Sequence, residues 1–234
     1  MVAKTPLILC PGLLCDAALW RHQTEHLADI ADITVPDFTI DDSIRGMASR
    51  LLAAAPERFA LAGLSMGGYV AQEVIRQAPN RVTRLALLDT SARADTPEQT
   101  KRRRDLMDLA GRGRFRGVTP QLMPLLVHPD RLDDETLTGA IMAMAETVGP
   151  EAFLRQQAAI AARPDGRGDL ARIACPTLVL CGRQDRLTPL EVNAEIAEAI
   201  PGADLVVLGA CGHMTSMERP EATTAALRVW LTER

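Results

Sequence analysis

Aromatic side chains are scarce in this 234-residue chain: two Trp, one Tyr and four Phe make up 3% of it, too few for base or sugar stacking to be a main recognition device. No strong excess of one charge is present either. Twenty-six Lys and Arg stand against 30 Asp and Glu, a net charge of −4, which excludes the basic composition expected of a nucleic-acid binder. No apolar run approaches the ~20 residues needed to span a bilayer. The five cysteines, Cys10, Cys15, Cys175, Cys181 and Cys211, are odd in number and scattered through apolar runs, unlike a disulfide framework or a zinc site. They read as buried reduced thiols, and a soluble, cytoplasmic protein is expected. Lys4 followed by Pro6-Leu-Ile-Leu-Cys-Pro-Gly-Leu-Leu-Cys15 has the outline of a signal peptide, but the Pro11-Gly12 break and the early Asp16 argue against one.

With 47% hydrophobic and 24% charged residues, the composition is that of an ordinary globular chain, and the length suits one domain with room for an inserted subdomain. Short apolar runs recur at 7–10, 33–35, 59–62, 85–88, 178–181 and 205–208. Runs without polar alternation are buried on both faces, as parallel strands are. Helical patterns separate them at about 16–29, 43–54, 66–78, 189–199 and 220–232, two of them stopped by Pro79-Asn80 and Pro201-Gly202. Alternation of this kind implies an α/β fold, with a mostly parallel sheet of about six strands and helices on both faces. The rhythm breaks between Asp89 and Cys175, where only helical patterns occur, near 97–111, 119–127, 133–147 and 150–162. A helical cap spanning 92–172, inserted in a core of 1–91 and 173–234, is the expected organisation, with 163–168 as the return loop.

Gly63-Leu-Ser65-Met-Gly67-Gly68 sits where a strand-like run meets a helical pattern. In that context G-x-S-x-G is a nucleophile elbow: a serine in a strained turn needs small neighbours two positions either side. The turn places the hydroxyl at the carboxyl edge of the sheet, and the helix that follows turns its N–H groups and positive dipole end to developing negative charge. A serine needs a base. His213, in Gly209-Ala-Cys-Gly212-His213, follows the last strand at the same edge. His22 and His26, spaced as a helical pair, read as a solvated face, and His128, in His-Pro-Asp, as a turn cap or a substrate contact. Two aspartates end strands and could orient the histidine, Asp185 and Asp89. Asp185 is preferred because its strand immediately precedes the one that delivers His213, which also gives the order Ser65, Asp185, His213 expected with this elbow.

These motifs, together with Glu218-Arg-Pro220 before the final helix, resemble the α/β-hydrolase superfamily, in its short, carboxylesterase-like branch, over nearly the whole chain. The resemblance implies that Ser65 attacks an acyl carbon, His213 acts as base and then acid, and Asp185 orients it. It further implies an oxyanion hole from the backbone N–H of Met66 and of a residue in the loop after the first strand. Family members usually carry His-Gly in that loop. Here Pro11-Gly12 stands instead, which puts Leu13 at the donor position with Leu14 as the alternative. Trp20 matches a position that packs the first helix. Serine at 65 separates the chain from members with an aspartate nucleophile, such as haloalkane dehalogenases.

No phosphate loop or dinucleotide fingerprint is present, and no cofactor or metal is expected. The expected partner is a small-molecule ester with a modest apolar acyl or alkyl group. Leu14, Met123, Leu126, Met142 and Met144 are candidates for the pocket wall, though apolar residues at helical spacing also serve plain packing. Lys101-Arg-Arg-Arg104 reads as a solvated helix face, with docking of an anionic, carrier-linked acyl group as the alternative.

Overall fold

A computed structural model describes residues 4–233. Six strands form one sheet: β1 (Thr5–Cys10), β2 (Ala31–Thr34), β3 (Phe59–Leu64), β4 (Val82–Leu88), β5 (Thr177–Gly182) and β6 (Asp204–Leu208). Their order is β2-β1-β3-β4-β5-β6, and every neighbouring pair is parallel. The order reverses direction at β1, and in such sheets the ligand site lies outside the carboxyl ends of the strands near that switch.

The helices are α1 (Arg21–His26), α2 (Ile44–Ala54), α3 (Met66–Gln77), α4 (Pro97–Leu109), α5 (Met123–Leu126), α6 (Glu135–Ala161), α7 (Leu190–Ala199), α8 (Thr215–Glu218) and α9 (Pro220–Thr232). Each of the four inner strands, β1, β3, β4 and β5, serves two cores at once. Ile8, Leu61, Leu87 and Val179 face a cluster with Met47 and Leu51 of α2, Val70 and Val74 of α3 and Ile196 of α7. Their chain neighbours Leu7, Ala60, Ala86 and Leu180 face Trp20, Leu27 and the Leu227 and Trp230 side chains of α9. That two-residue alternation explains why the strand runs lack polar residues. Burying one such side chain contributes roughly 1.5–3 kcal/mol, so the two-sided sheet is the main source of cohesion.

The stretch between β4 and β5 contains helices and turns only. Thr96 opens α4 with a capping box closed by Gln99, yet no residue of α4 is buried. The two helices expected at 133–147 and 150–162 are both present as the two halves of α6, parted at Gly149, whose φ of 76° and ψ of 176° lie outside the helical region, ahead of Pro150. Only 123–126 of the expected 119–127 helix is α-helical, and the expected 16–29 helix divides into a 3-10 turn at Ala17–Trp20 and α1. The expected return loop, 163–168, overlaps a 3-10 turn that begins at Arg167. A buried ion cluster ties this region together: Asp95 takes Arg103 at 2.6 Å and Arg163 at 2.7 Å, and the Arg163 guanidinium lies over the Tyr69 ring of α3.

Candidate active site

Ser65 joins β3 to α3 with φ 54° and ψ −114°, a conformation that side-chain-bearing residues rarely adopt. Its neighbours explain how the turn closes. A Cβ on Gly63 would lie 2.2 Å from the Gly67 carbonyl oxygen, and one on Gly67 would lie 2.1 Å from that of Cys10. On Gly68 it would strike the Thr90 side chain at 2.4 Å. The three glycines let the strand end, the helix start and the loop after β1 pack on one another. The strained serine is pinned from β4, since its N–H donates to the Leu88 carbonyl at 3.0 Å and its own carbonyl accepts the Thr90 hydroxyl at 2.8 Å.

Asp185 and His213 are brought into direct contact, with Nδ1 2.8 Å from the carboxylate Oδ2. The carboxylate is held in turn: Oδ1 accepts the Leu187 and Thr188 N–H groups at 2.8 and 3.0 Å, and Oδ2 accepts the Thr188 hydroxyl at 2.7 Å. A carboxylate on Nδ1 directs a neutral imidazole to keep its proton there and leaves Nε2 free to accept one. Burial alone disfavours the His213 cation, but Asp185, with Asp89 and Glu218 behind it, carries its pKa above the ordinary histidine value. Burial likewise opposes ionisation of Asp185, yet the His213 charge and hydrogen bond and the Thr188 donors leave its pKa below the usual carboxylate value.

Asp89 sits behind this pair with different partners. Its carboxylate accepts the Gly182 N–H at 3.0 Å and both the N–H and hydroxyl of Thr215, at 3.2 and 2.5 Å. It therefore knits the ends of β4 and β5 to α8. Burial and then the Asp185 charge push its pKa well up. Like Ser65, it has a positive φ, 44°.

Two loops complete the edge. A Cβ on Gly182 would lie 1.9 Å from the Gly212 carbonyl oxygen, so β5 abuts the histidine loop. In that loop Glu218 accepts the Gly212 N–H at 2.9 Å and the Met214 N–H at 3.3 Å through one oxygen. Its other oxygen accepts the His128 N–H at 2.7 Å, and the His213 N–H donates to the Leu126 carbonyl at 2.8 Å. The helical region between β4 and β5 is thereby hydrogen-bonded to both sides of His213. Sequence reasoning saw in Glu218 only part of a family ending. A carboxylate two residues before the final helix is the one signal the sequence carries.

The N–H groups of Leu13, in the loop after β1, and of Met66, at the start of α3, have no acceptor among the described residues, whereas that of Leu14 donates to Gln156 Oε1 at 3.0 Å. Met123, Leu126, Met142 and Met144 gather in one apolar cluster with Leu64 and Met214, beside the elbow and the histidine loop. Leu14 lies in a separate small cluster with Ala110, Ala145 and Phe153. His128 caps its own turn, its ring accepting the Asp130 N–H at 3.2 Å. His22 is only partly solvated: it stacks on His26 and bonds the Thr224 hydroxyl at 2.8 Å. Trp20 is fully buried in the α1 and α9 packing. Lys101 pairs with Asp105 on the exposed face of α4, while Arg103 turns inward to Asp95. The five cysteines are unpaired, and no cluster of three metal-ligating side chains occurs among the described residues. No helix among them is long and apolar enough to cross a membrane.

A six-stranded parallel sheet with a strained serine elbow and a buried Asp–His pair at its carboxyl edge is the architecture of the α/β hydrolases. The chain belongs to the alpha/beta hydrolase family, whose sequence profile matches residues 7–227. A thermophilic esterase from Thermogutta terrifontis superposes with a TM-score of 0.88 at 30% identity, covering 99% of this chain and 90% of the esterase. The enol-lactonase of Burkholderia xenovorans LB400 superposes with a TM-score of 0.87 at 24% identity, over 98% and 92% of the two chains, a likeness of fold. In sequence, the RutD protein of Azorhizobium caulinodans, which carries a carbamate-hydrolase name, is 29% identical over 94% of this chain and 88% of its own.

Proposed function

We propose that the protein is a cofactor-independent serine hydrolase that cleaves carboxylic esters of small to medium apolar acyl or alkyl groups through an acyl-enzyme. The observation that carries this reading is the Asp185–His213 hydrogen bond, set at the sheet edge where the elbow holds Ser65. Ser65 Oγ attacks the ester carbonyl carbon while His213 Nε2 takes the hydroxyl proton. The carbonyl electron pair moves onto oxygen, which accepts hydrogen bonds from the Leu13 and Met66 N–H groups, the second at the positive end of α3. Collapse of this intermediate expels the alkoxide, which leaves as the alcohol with the proton from His213. Water, deprotonated by the same nitrogen, then attacks the acyl-enzyme and releases the acid and Ser65. Throughout, Asp185 stays ionised and holds the imidazolium in orientation.

The helical region over residues 92–172 acts as a cap, with Met123, Leu126, Met142 and Met144 as an unbranched or flexible apolar lining for the acyl or alkyl group and Leu14 at its margin. The esterase from Thermogutta terrifontis supports ester chemistry. Hydrolysis of a p-nitrophenyl ester series from acetate to decanoate tests the reading. Turnover abolished in Ser65→Ala, with an optimum at short to medium chains, is the expected result. Turnover that survives Ser65→Ala would refute it.

A further inference from the structure

The loop after β1 offers two successive N–H groups beside the elbow, and α6 distinguishes them. Gln156 is 1% exposed, and its amide is paired at both ends: Oε1 takes the Leu14 N–H at 3.0 Å and Nε2 donates to the Phe38 carbonyl at 3.1 Å. Leu14 has φ 57°, a left-handed conformation that a leucine holds only when its surroundings enforce it. The flanking peptides are fixed as well. Cys15 donates its thiol to the Leu13 carbonyl at 3.4 Å and its N–H to the Gly12 carbonyl at 3.2 Å. The Leu13–Leu14 peptide is thus held at its carbonyl by Cys15 and at its N–H by Gln156. The Gly12–Leu13 peptide is held at its carbonyl alone, and its N–H has no acceptor among the described residues. Gly12 also lies against the residue before the nucleophile: a Cβ there would be 3.4 Å from the Leu64 carbonyl oxygen.

We infer that Gln156 is a positioning residue for the oxyanion hole: by taking up the Leu14 N–H and holding Leu14 left-handed, it fixes the loop so that Leu13 supplies the donor. The inference rests on the acyl-transfer reading of Ser65, Leu13 and Met66. It adds that a side chain of the helical insertion, 142 residues along the chain from Leu14, sets the geometry of a catalytic backbone group. The neighbours of Gln156 reinforce the grip, since Arg155 donates to the Thr39 carbonyl at 2.7 Å and Gln157 accepts Arg103 at 2.8 Å.

The test compares the full-length wild type with Gln156→Met, which keeps the length of the side chain but neither polar end. Three quantities are read: kcat and KM on the best p-nitrophenyl ester, the rate of Ser65 labelling by a fluorophosphonate, and the pH midpoint of kcat/KM. A displaced donor lowers kcat and the labelling rate together, by about tenfold or more, with KM within about threefold. The pH midpoint stays in place, because the Asp185–His213 pair is untouched. Should Gln156→Met fail to fold, Gln156→Asn, one methylene too short to reach Leu14, carries the same expectation. A folded variant with unchanged kcat and labelling overturns the inference, as does a loss confined to KM or one that moves the pH midpoint. If the wild type itself is neither labelled nor active, the acyl-transfer reading falls and this inference with it. A labelled wild type with an equally labelled Gln156 variant overturns the inference alone.

Discussion

The carboxyl edge of the sheet and the helical region between β4 and β5 are built on opposite principles. At the edge, backbones touch: the Gly63, Gly67, Gly182 and Gly212 positions each approach another main chain so closely that a Cβ would fall within 3 Å of it. In the insertion, α4 buries no residue, and Gly111, Gly113 and Gly139 have open space where a side chain would go. The insertion is bound to the edge by apolar packing of Met123, Val127, Ile141 and Met144 with Leu64 and Met214, and by two hydrogen bonds, from the Leu14 N–H to Gln156 and from the His128 N–H to Glu218. A rigid edge suits groups that must stay within tenths of an ångström of a reacting geometry.

Substitutions that separate the two carboxylates at the edge should show the largest effect. Asp185→Asn removes the charge that orients His213 and should lower kcat/KM on the order of 10³–10⁴-fold with the fold intact. Asp89→Asn, whose partners are Gly182 and Thr215, should leave kcat/KM within about tenfold and lower stability instead. The reverse ranking in steady-state kinetics would exchange their roles.

Next in size is the glycine contrast. Gly67→Ala should destabilise by roughly 3 kcal/mol or more, because the Cys10 carbonyl has nowhere to move. Gly111→Ala, with nothing within 4 Å of the added carbon, should be neutral or stabilise by about 0.5–1 kcal/mol. Urea denaturation of the two variants measures both. Comparable losses would erase the distinction between the regions.

A smaller effect concerns pH. In the proposed mechanism the base is neutral imidazole, and the carboxylates around His213 raise its pKa despite burial. Activity should therefore rise with pH through a midpoint above the usual histidine value of about 6.5. A pH profile of kcat/KM with its acidic midpoint at or below that value would contradict the site electrostatics. Smallest of all, reversing the exposed Arg102 and Arg104 should leave turnover of small neutral esters unchanged at low and high salt. A salt-dependent loss with such substrates would bring the exposed face of α4 into the site.

The same contrast separates what was legible in the sequence from what was not. The four inner strands announce themselves as apolar runs because both faces are buried, and the elbow as glycines around a serine. The helix ends of the core differ little from the pattern, because Pro79 and Pro201 are local stops. In the insertion local signals mark where helices end but not what they hold. Gly149-Pro150 reads as a break between two helices, and Gly149, at φ 76° and ψ 176°, is one. Gln156 reads as one more polar helix residue, and its partners on Leu14 and Phe38 are distant in sequence and are backbone atoms, which no residue pattern encodes. Glu218 is similar, with three backbone N–H groups as partners.

Fluorophosphonate labelling, with the modified residue located by peptide mass spectrometry, tests the central claim most directly. An activated nucleophile predicts one adduct per chain, on Ser65, with the rate falling steeply in His213→Ala. A folded protein that takes no label, or takes it at another residue, would contradict the assignment of Ser65 and His213 as the catalytic pair.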